Sequence, residues 1–181
     1  MRRLACGNWT RAARSNHCTC AETARRAYRA RMSGPIVDRI DIVRHVRPGS
    51  PASDDPFRPV ESSAEVRERV AAARARQRER FAGRSWRLNA HVPSPRLKDT
   101  WPLPAPAQQL IDAEVLAGRL SARGAVRVHR LAWTVADVRS VRTGRDLEPG
   151  VDEVATALRL RSGQPLDLAM FQQRPGAEGA A

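Results

Sequence analysis

At 181 residues with a net charge of +13, the chain is long enough for one ordinary domain and a tail. Apolar residues make up 41% and charged residues 28%, as in folded proteins, and no stretch approaches the ~20 apolar residues of a membrane span. The charge points to a nucleic-acid or acidic partner, although Lys98 is the only lysine and every other cation is arginine, a bias that coding composition alone can produce.

Met1-Arg2-Arg3-Leu4-Ala5-Cys6 is basic, but no apolar core of ~7 to 15 residues follows the arginines, so no secretory signal is supported and a cytoplasmic location is expected. Cys6, Cys18 and Cys20, an odd number on one short stretch, fit a reducing compartment and a metal-type cluster better than a disulfide framework. Residues 6–20 read as an irregular loop. Alanine and arginine dominate from Ala21 to Met32, which predicts a helix stopped by Ser33-Gly34-Pro35. The segment Ile36 to Val43 ends in alternation, with Ile40 and Ile42 followed by Val43, and reads as a strand. Prolines at 48, 51, 56 and 59 mark a linker.

Ser62-Ser63-Ala64-Glu65 carries a hydroxyl with a glutamate three residues on, a capping box, and predicts a helix to about Phe81. Val66, Val70, Ala73, Gln77 and Phe81 form its narrow stripe, and Arg67, Arg69, Arg74, Arg76, Arg78 and Arg80 occupy the rest. Five prolines between Gly83 and Ala107 argue against regular structure there. Helices follow at about Ala107 to Arg119 and Arg123 to Arg139, the second burying Val128, Leu131, Val135 and Val138, and a short one runs from Val151 to Arg161. Beyond Gly163 the composition predicts a loose tail.

Lys98 lies between Leu97 and Asp99, so the sequence contains no GxxxxGK[ST] phosphate loop, and no apolar run leads into Asp-Glu as a Walker B strand would. GxGxxG, GxSxG and HExxH are absent as well. What the chain does contain is four ordered signatures: Cys6-Gly7 with Cys18-Thr19-Cys20; Ser33-Gly34-Pro35-Ile36-Val37-Asp38-Arg39-Ile40-Asp41; Glu61 to Val70 followed by Arg87-Leu88-Asn89-Ala90; and Leu120-Ser121-Ala122-Arg123-Gly124 leading into Arg127, Leu131-Ala132 and Thr134-Val135-Ala136-Asp137. Over residues 4–161 they resemble the C-terminal third of the magnesium chelatase subunit I-like AAA+ proteins, the group that includes the ComM/YifB proteins of bacterial DNA uptake and recombination.

The resemblance implies a mainly α fold. Residues 1–47 would be a remnant of an AAA+ α/β core with cysteine loop, helix and one strand; 48–60 a linker; 61–161 an α-helical lid; and 162–181 a flexible tail. It also implies a chain truncated before the P-loop core, without ATPase activity alone, belonging to a family of ring-forming ATPases that use ATP and magnesium. Its partner would be a P-loop-bearing subunit or the upstream half of a split protein, with DNA as a further partner and no membrane. Competing readings are a stand-alone basic helical nucleic-acid-binding module and a non-functional gene remnant.

By resemblance Arg39 is the arginine finger supplied in trans to the γ-phosphate, with Asp38 and Asp41 positioning it. Arg123 resembles the second-sensor arginine that reaches bound nucleotide. Arg123, Arg127 and Arg130, at i, i+4 and i+7, share a helix face, and that face suits phosphate or acid; the plainer reading is a solvated face whose charges are screened. Trp86 and Trp101, in a loop with Arg84, Arg87 and Arg96, suit stacking on single-stranded bases; the plainer reading is that they pin the loop to the core. Zinc wants four ligands, and the family's fourth cysteine falls at Leu4, so the site must recruit His17 or stay incomplete; an incomplete site is expected. His45, His91 and His129 have no partner spacing.

Overall fold

The computed structural model describes residues 19–31, 34–44 and 61–164. Contacts divide them into two units: one holds the described residues up to Ile40 together with Arg44, and the other holds Asp41–Val43 and the described residues from Glu61 onward.

In the first unit, α1 (Glu22–Ala30) begins with a glutamate whose carboxylate pairs with Arg25 at 2.7 Å and Arg26 at 3.4 Å, one turn on. Acid in the first turn and base after it both favour the helix dipole. The expected strand at 36–43 is not found: no strand occurs among the described residues, and Gly34–Val37 forms the single helical turn α2. Proline is preorganised for a first helical turn, and Ile36 and Val37 follow it into the turn. The Asp38 N–H closes that turn on the Gly34 carbonyl at 2.8 Å, and the Arg39 N–H donates to Ile36 at 3.0 Å. Alternation of apolar residues makes a strand only where a neighbouring strand accepts its backbone groups. Here the N–H groups of Asp38, Arg39 and Ile40 are spent locally, and that of Val43 goes to the Leu160 carbonyl.

The second unit is helical: α3 (Ser63–Arg80), α4 (Ser94–Thr100), α5 (Ala105–Leu116), α6 (Ala122–Thr143) and α7 (Val151–Ser162), with a 3-10 turn at Asn89–His91. The capping box at the start of α3 is present in both directions, with the Glu65 N–H on Ser62 Oγ at 3.2 Å and the Ser62 N–H on Glu65 Oε2 at 2.7 Å. Of the predicted stripe, Ala73, Gln77 and Phe81 are buried, while Val66 and Val70 are exposed. The prolines between Gly83 and Ala107 do not exclude helix: Pro95 and Pro106 sit in the first turns of α4 and α5, where an amide N–H has no intrahelical acceptor and its loss costs nothing.

Helix α6 is the axis of the unit. Its Val128 and Ala132 meet Leu103, Ala107 and Ile111 from α5 and its lead-in, and Val154 and Ala157 from α7, in one cluster. On its other side Trp133 joins Phe81, Val92 and Leu97, with Trp86 and Trp101 packed against them. Phe81 and Trp101 meet edge to face at 5.1 Å and an interplanar angle of 87°. Gly144, in the left-handed conformation at φ 66°, ends α6. The residues Asp41–Val43 are stitched onto this unit: Asp41 pairs with Arg127 of α6, and the Val43 N–H donates to the Leu160 carbonyl of α7 at 2.9 Å.

Candidate functional site

Arg39 lies two residues past the end of α2 and its side chain is exposed. Among the described residues it makes no ion pair. Asp38 beside it is half-buried. Asp41 is the one acid of this segment whose ion-pair partner is defined, the Arg127 guanidinium.

The arginine row on α6 does not present a single face of available charge. Arg123, in the first turn of α6, is exposed and makes no ion pair among the described residues. Arg127 is held by Asp41. Arg130 is half-buried and donates through Nε at 3.1 Å and Nη2 at 2.6 Å to the Val92 carbonyl, tying α6 to the turn before α4. Burial, and then the neighbouring Arg127 cation, lower its pKa, while Asp41 opposes them. Helical spacing aligns these residues; their roles differ because partners from distant parts of the chain reach only two of them.

Trp86 is half-buried against the Phe81–Trp133 cluster, and its indole Nε1 is buried with no hydrogen-bond partner. Trp101 packs into the same cluster, and its carbonyl accepts from His129 Nε2 at 2.8 Å and Trp133 Nε1 at 3.2 Å. Both tryptophans therefore spend apolar area on the core. Of the proposed metal ligands, Cys6, His17 and Cys18 lie outside the described residues, and Cys20 is half-buried. Among the described residues no three His, Cys, Asp or Glu side chains gather as a metal site.

Among the described residues the densest polar arrangement centres on Asp137, which in the sequence stands only at the end of Thr134-Val135-Ala136-Asp137. Its carboxylate is wholly buried and accepts from both terminal nitrogens of Arg80, one at 3.1 Å, and from Asn89 Nδ2 at 2.9 Å. Asn89 also donates its backbone N–H to Gln77 Oε1 at 3.1 Å and its amide to Thr134 Oγ1 at 3.1 Å, so α3, the 3-10 turn and α6 share one network. The Arg80 guanidinium stacks 4.4 Å from the Trp133 ring. A buried carboxylate is tolerable only when its charge and lone pairs are met, and a bidentate arginine with an amide does so. The legible signal is an acid in the apolar pattern of α6 together with Asn89 in Arg87-Leu88-Asn89-Ala90. A second buried acid, Glu153, accepts the Gly150 N–H at 2.8 Å and pairs with Arg139, joining α7 to α6. Both networks hold helices in register.

His129 is buried beside a cavity of about 180 Å³ whose lining includes Leu97, Lys98, Ile111, Asp112 and Val126. Burial lowers the imidazole pKa, the Trp101 carbonyl opposes this, and the Lys98 and Arg130 cations add to the lowering.

The family described as magnesium chelatase, subunit ChlI C-terminal, matches residues 60–161, and the family magnesium chelatase, subunit ChlI, matches residues 1–53. The chain belongs to the magnesium chelatase subunit ChlI-like family. Uncharacterised proteins of Mycobacterium bovis and Mycobacterium tuberculosis are 36% identical over 147 residues, which is 80% of this chain and 27% of theirs. The uncharacterised protein YifB of Escherichia coli is 34% identical over 124 residues, 68% of this chain and 23% of its own. The chain thus spans about a quarter of the length of the curated relatives it matches. No solved structure matches it. No helix among the described residues is long and apolar enough to cross a membrane.

Proposed function

We propose that this chain is the C-terminal segment of a YifB-type AAA+ ring ATPase and completes a neighbouring subunit's nucleotide site with Arg39. The carrying observation is the exposed Arg39 side chain, without an ion-pair partner among the described residues, inside Ser33-Gly34-Pro35-Ile36-Val37-Asp38-Arg39-Ile40-Asp41. A planar, permanently charged guanidinium suits the charge developing on a transferring phosphoryl group. The helical unit acts as the lid, and Arg123, exposed at the start of α6, serves as its nucleotide-sensing arginine. ATP and magnesium are held by the P-loop of a partner subunit or of an upstream half, in a cytoplasmic assembly that moves or remodels DNA.

Mixing the chain with a P-loop-bearing relative tests this. Stimulated ATP hydrolysis is expected with the wild type, falling by ~10³-fold in rate with Arg39→Ala, while the chain alone releases no phosphate. Equal stimulation by wild type and Arg39→Ala would show the arginine to be structural.

A further inference from the structure

The arginines of α3 fall into two sets. Arg69, Arg76 and Arg80 are each answered by a carboxylate of the same unit: Glu61, Asp146 and Asp137. Arg67, Arg74 and Arg78 are exposed and make no ion pair among the described residues. Intervals of seven and then four residues place these three on one stripe of the helix, spanning roughly 16 Å along its axis. No acid lies three or four residues from any of them; those positions hold Ser, Ala, Val, Gln, Phe or another of the three arginines. Glu68 and Glu79 fall on the adjacent stripe, separated by Ala72 and Ala75, so Arg74 at the middle has no acidic neighbour on the helix. Two like charges four apart, Arg74 and Arg78, work against the helix unless an external anion meets them.

We propose that the Arg67–Arg74–Arg78 stripe of α3 is a docking face for the phosphate backbone of duplex DNA. Guanidinium groups take phosphate oxygens two at a time, and the short Ala71 and Ala75 side chains leave a backbone room to approach between them. The stripe offers no aromatic ring, and single-strand binders depend on stacking platforms, so a rigid rod of cations fits the rigid duplex better. Contacts of this kind position the partner without reading its sequence. The proposal deepens the DNA-handling reading given above and rests on it only for the identity of the polyanion.

The test is fluorescence anisotropy of a labelled duplex with the full chain across a salt series. Each phosphate contact contributes about 0.9 to the slope of log affinity against log salt, so Arg67→Gln, Arg74→Gln and Arg78→Gln together should flatten the slope by about 2 to 3. A charge-matched control, Arg119→Gln with Arg145→Gln and Arg159→Gln, should flatten it by less than about 1. Thermal midpoints report whether the triple variant folds; if it does not, Arg74→Gln alone carries the test, with a loss of about 1 in slope. Equal slopes for the stripe variant and the wild type overturn the stripe and leave the DNA reading standing. Absence of salt-dependent binding by the wild type overturns both. Displacement of the duplex by polyglutamate at matched charge assigns the stripe to an acidic protein and overturns the proposal.

Discussion

Asp137 has no access to solvent, and its charge is balanced by the bidentate Arg80 and the Asn89 amide. Removing one member of such a pair leaves the other buried and uncompensated, which costs more than the pair ever contributes. Asp137→Ala is therefore expected to lower stability by about 3 to 5 kcal/mol in urea unfolding. Arg119→Ala, which breaks the exposed pair with Glu114, should cost under ~1 kcal/mol. A loss for Asp137→Ala as small as that for Arg119→Ala would mean the network is peripheral to the fold. The residue scale is also where the sequence was hardest to read. The i, i+4, i+7 spacing of Arg123, Arg127 and Arg130 is visible in one dimension, but what separates their roles is an acid 86 residues from Arg127 and a carbonyl 38 residues from Arg130. Arg39 and Arg123 stood out only because the surrounding motif resembles a family, and the cysteine cluster falls mostly outside the described residues.

At the scale of elements, the helices were legible wherever local chemistry decided them. Ser62 with Glu65, Ser121 ahead of α6, and Gly144 and Gly163 in left-handed conformations mark starts and stops that need no tertiary information. Two readings failed for opposite reasons. Pro95 and Pro106 read as breakers in the sequence, yet at the second helical position of α4 and α5 they cost no hydrogen bond. The alternation at 36–43 reads as a strand, yet it has no partner strand among the described residues. The cap on α3 gives a direct prediction: Ser62→Ala should cost about 1 kcal/mol, seen as a lower urea midpoint at unchanged slope. Ser63→Ala, one residue into the helix and making no cap bond, should change the midpoint far less. Equal effects of the two substitutions would show that the box does not anchor the helix.

For the whole molecule, the titration of His129 sets a lower pH limit. Burial holds its folded pKa below the unfolded value, so both states carry a neutral ring at high pH and the group is without effect there. As pH falls below the unfolded pKa of about 6.5, the unfolded chain takes up a proton that the folded chain resists, and stability declines. The limiting slope for one proton is about 1.4 kcal/mol per pH unit. His129→Gln, which keeps a donor for the Trp101 carbonyl, should lose less stability than the wild type between about pH 7.5 and about pH 5.5. Identical losses would place the acid sensitivity elsewhere. The stitch at Asp41–Val43 bears on how the molecule divides. The family match begins at residue 60, but contacts recruit three residues from well upstream into the helical unit. A cut made at the family boundary would strip Arg127 of its carboxylate and the Leu160 carbonyl of its donor. Inheritance and packing therefore draw different borders here. The three stitched residues begin two positions after Arg39, so an excised helical unit would lose the very segment that leads back to that arginine.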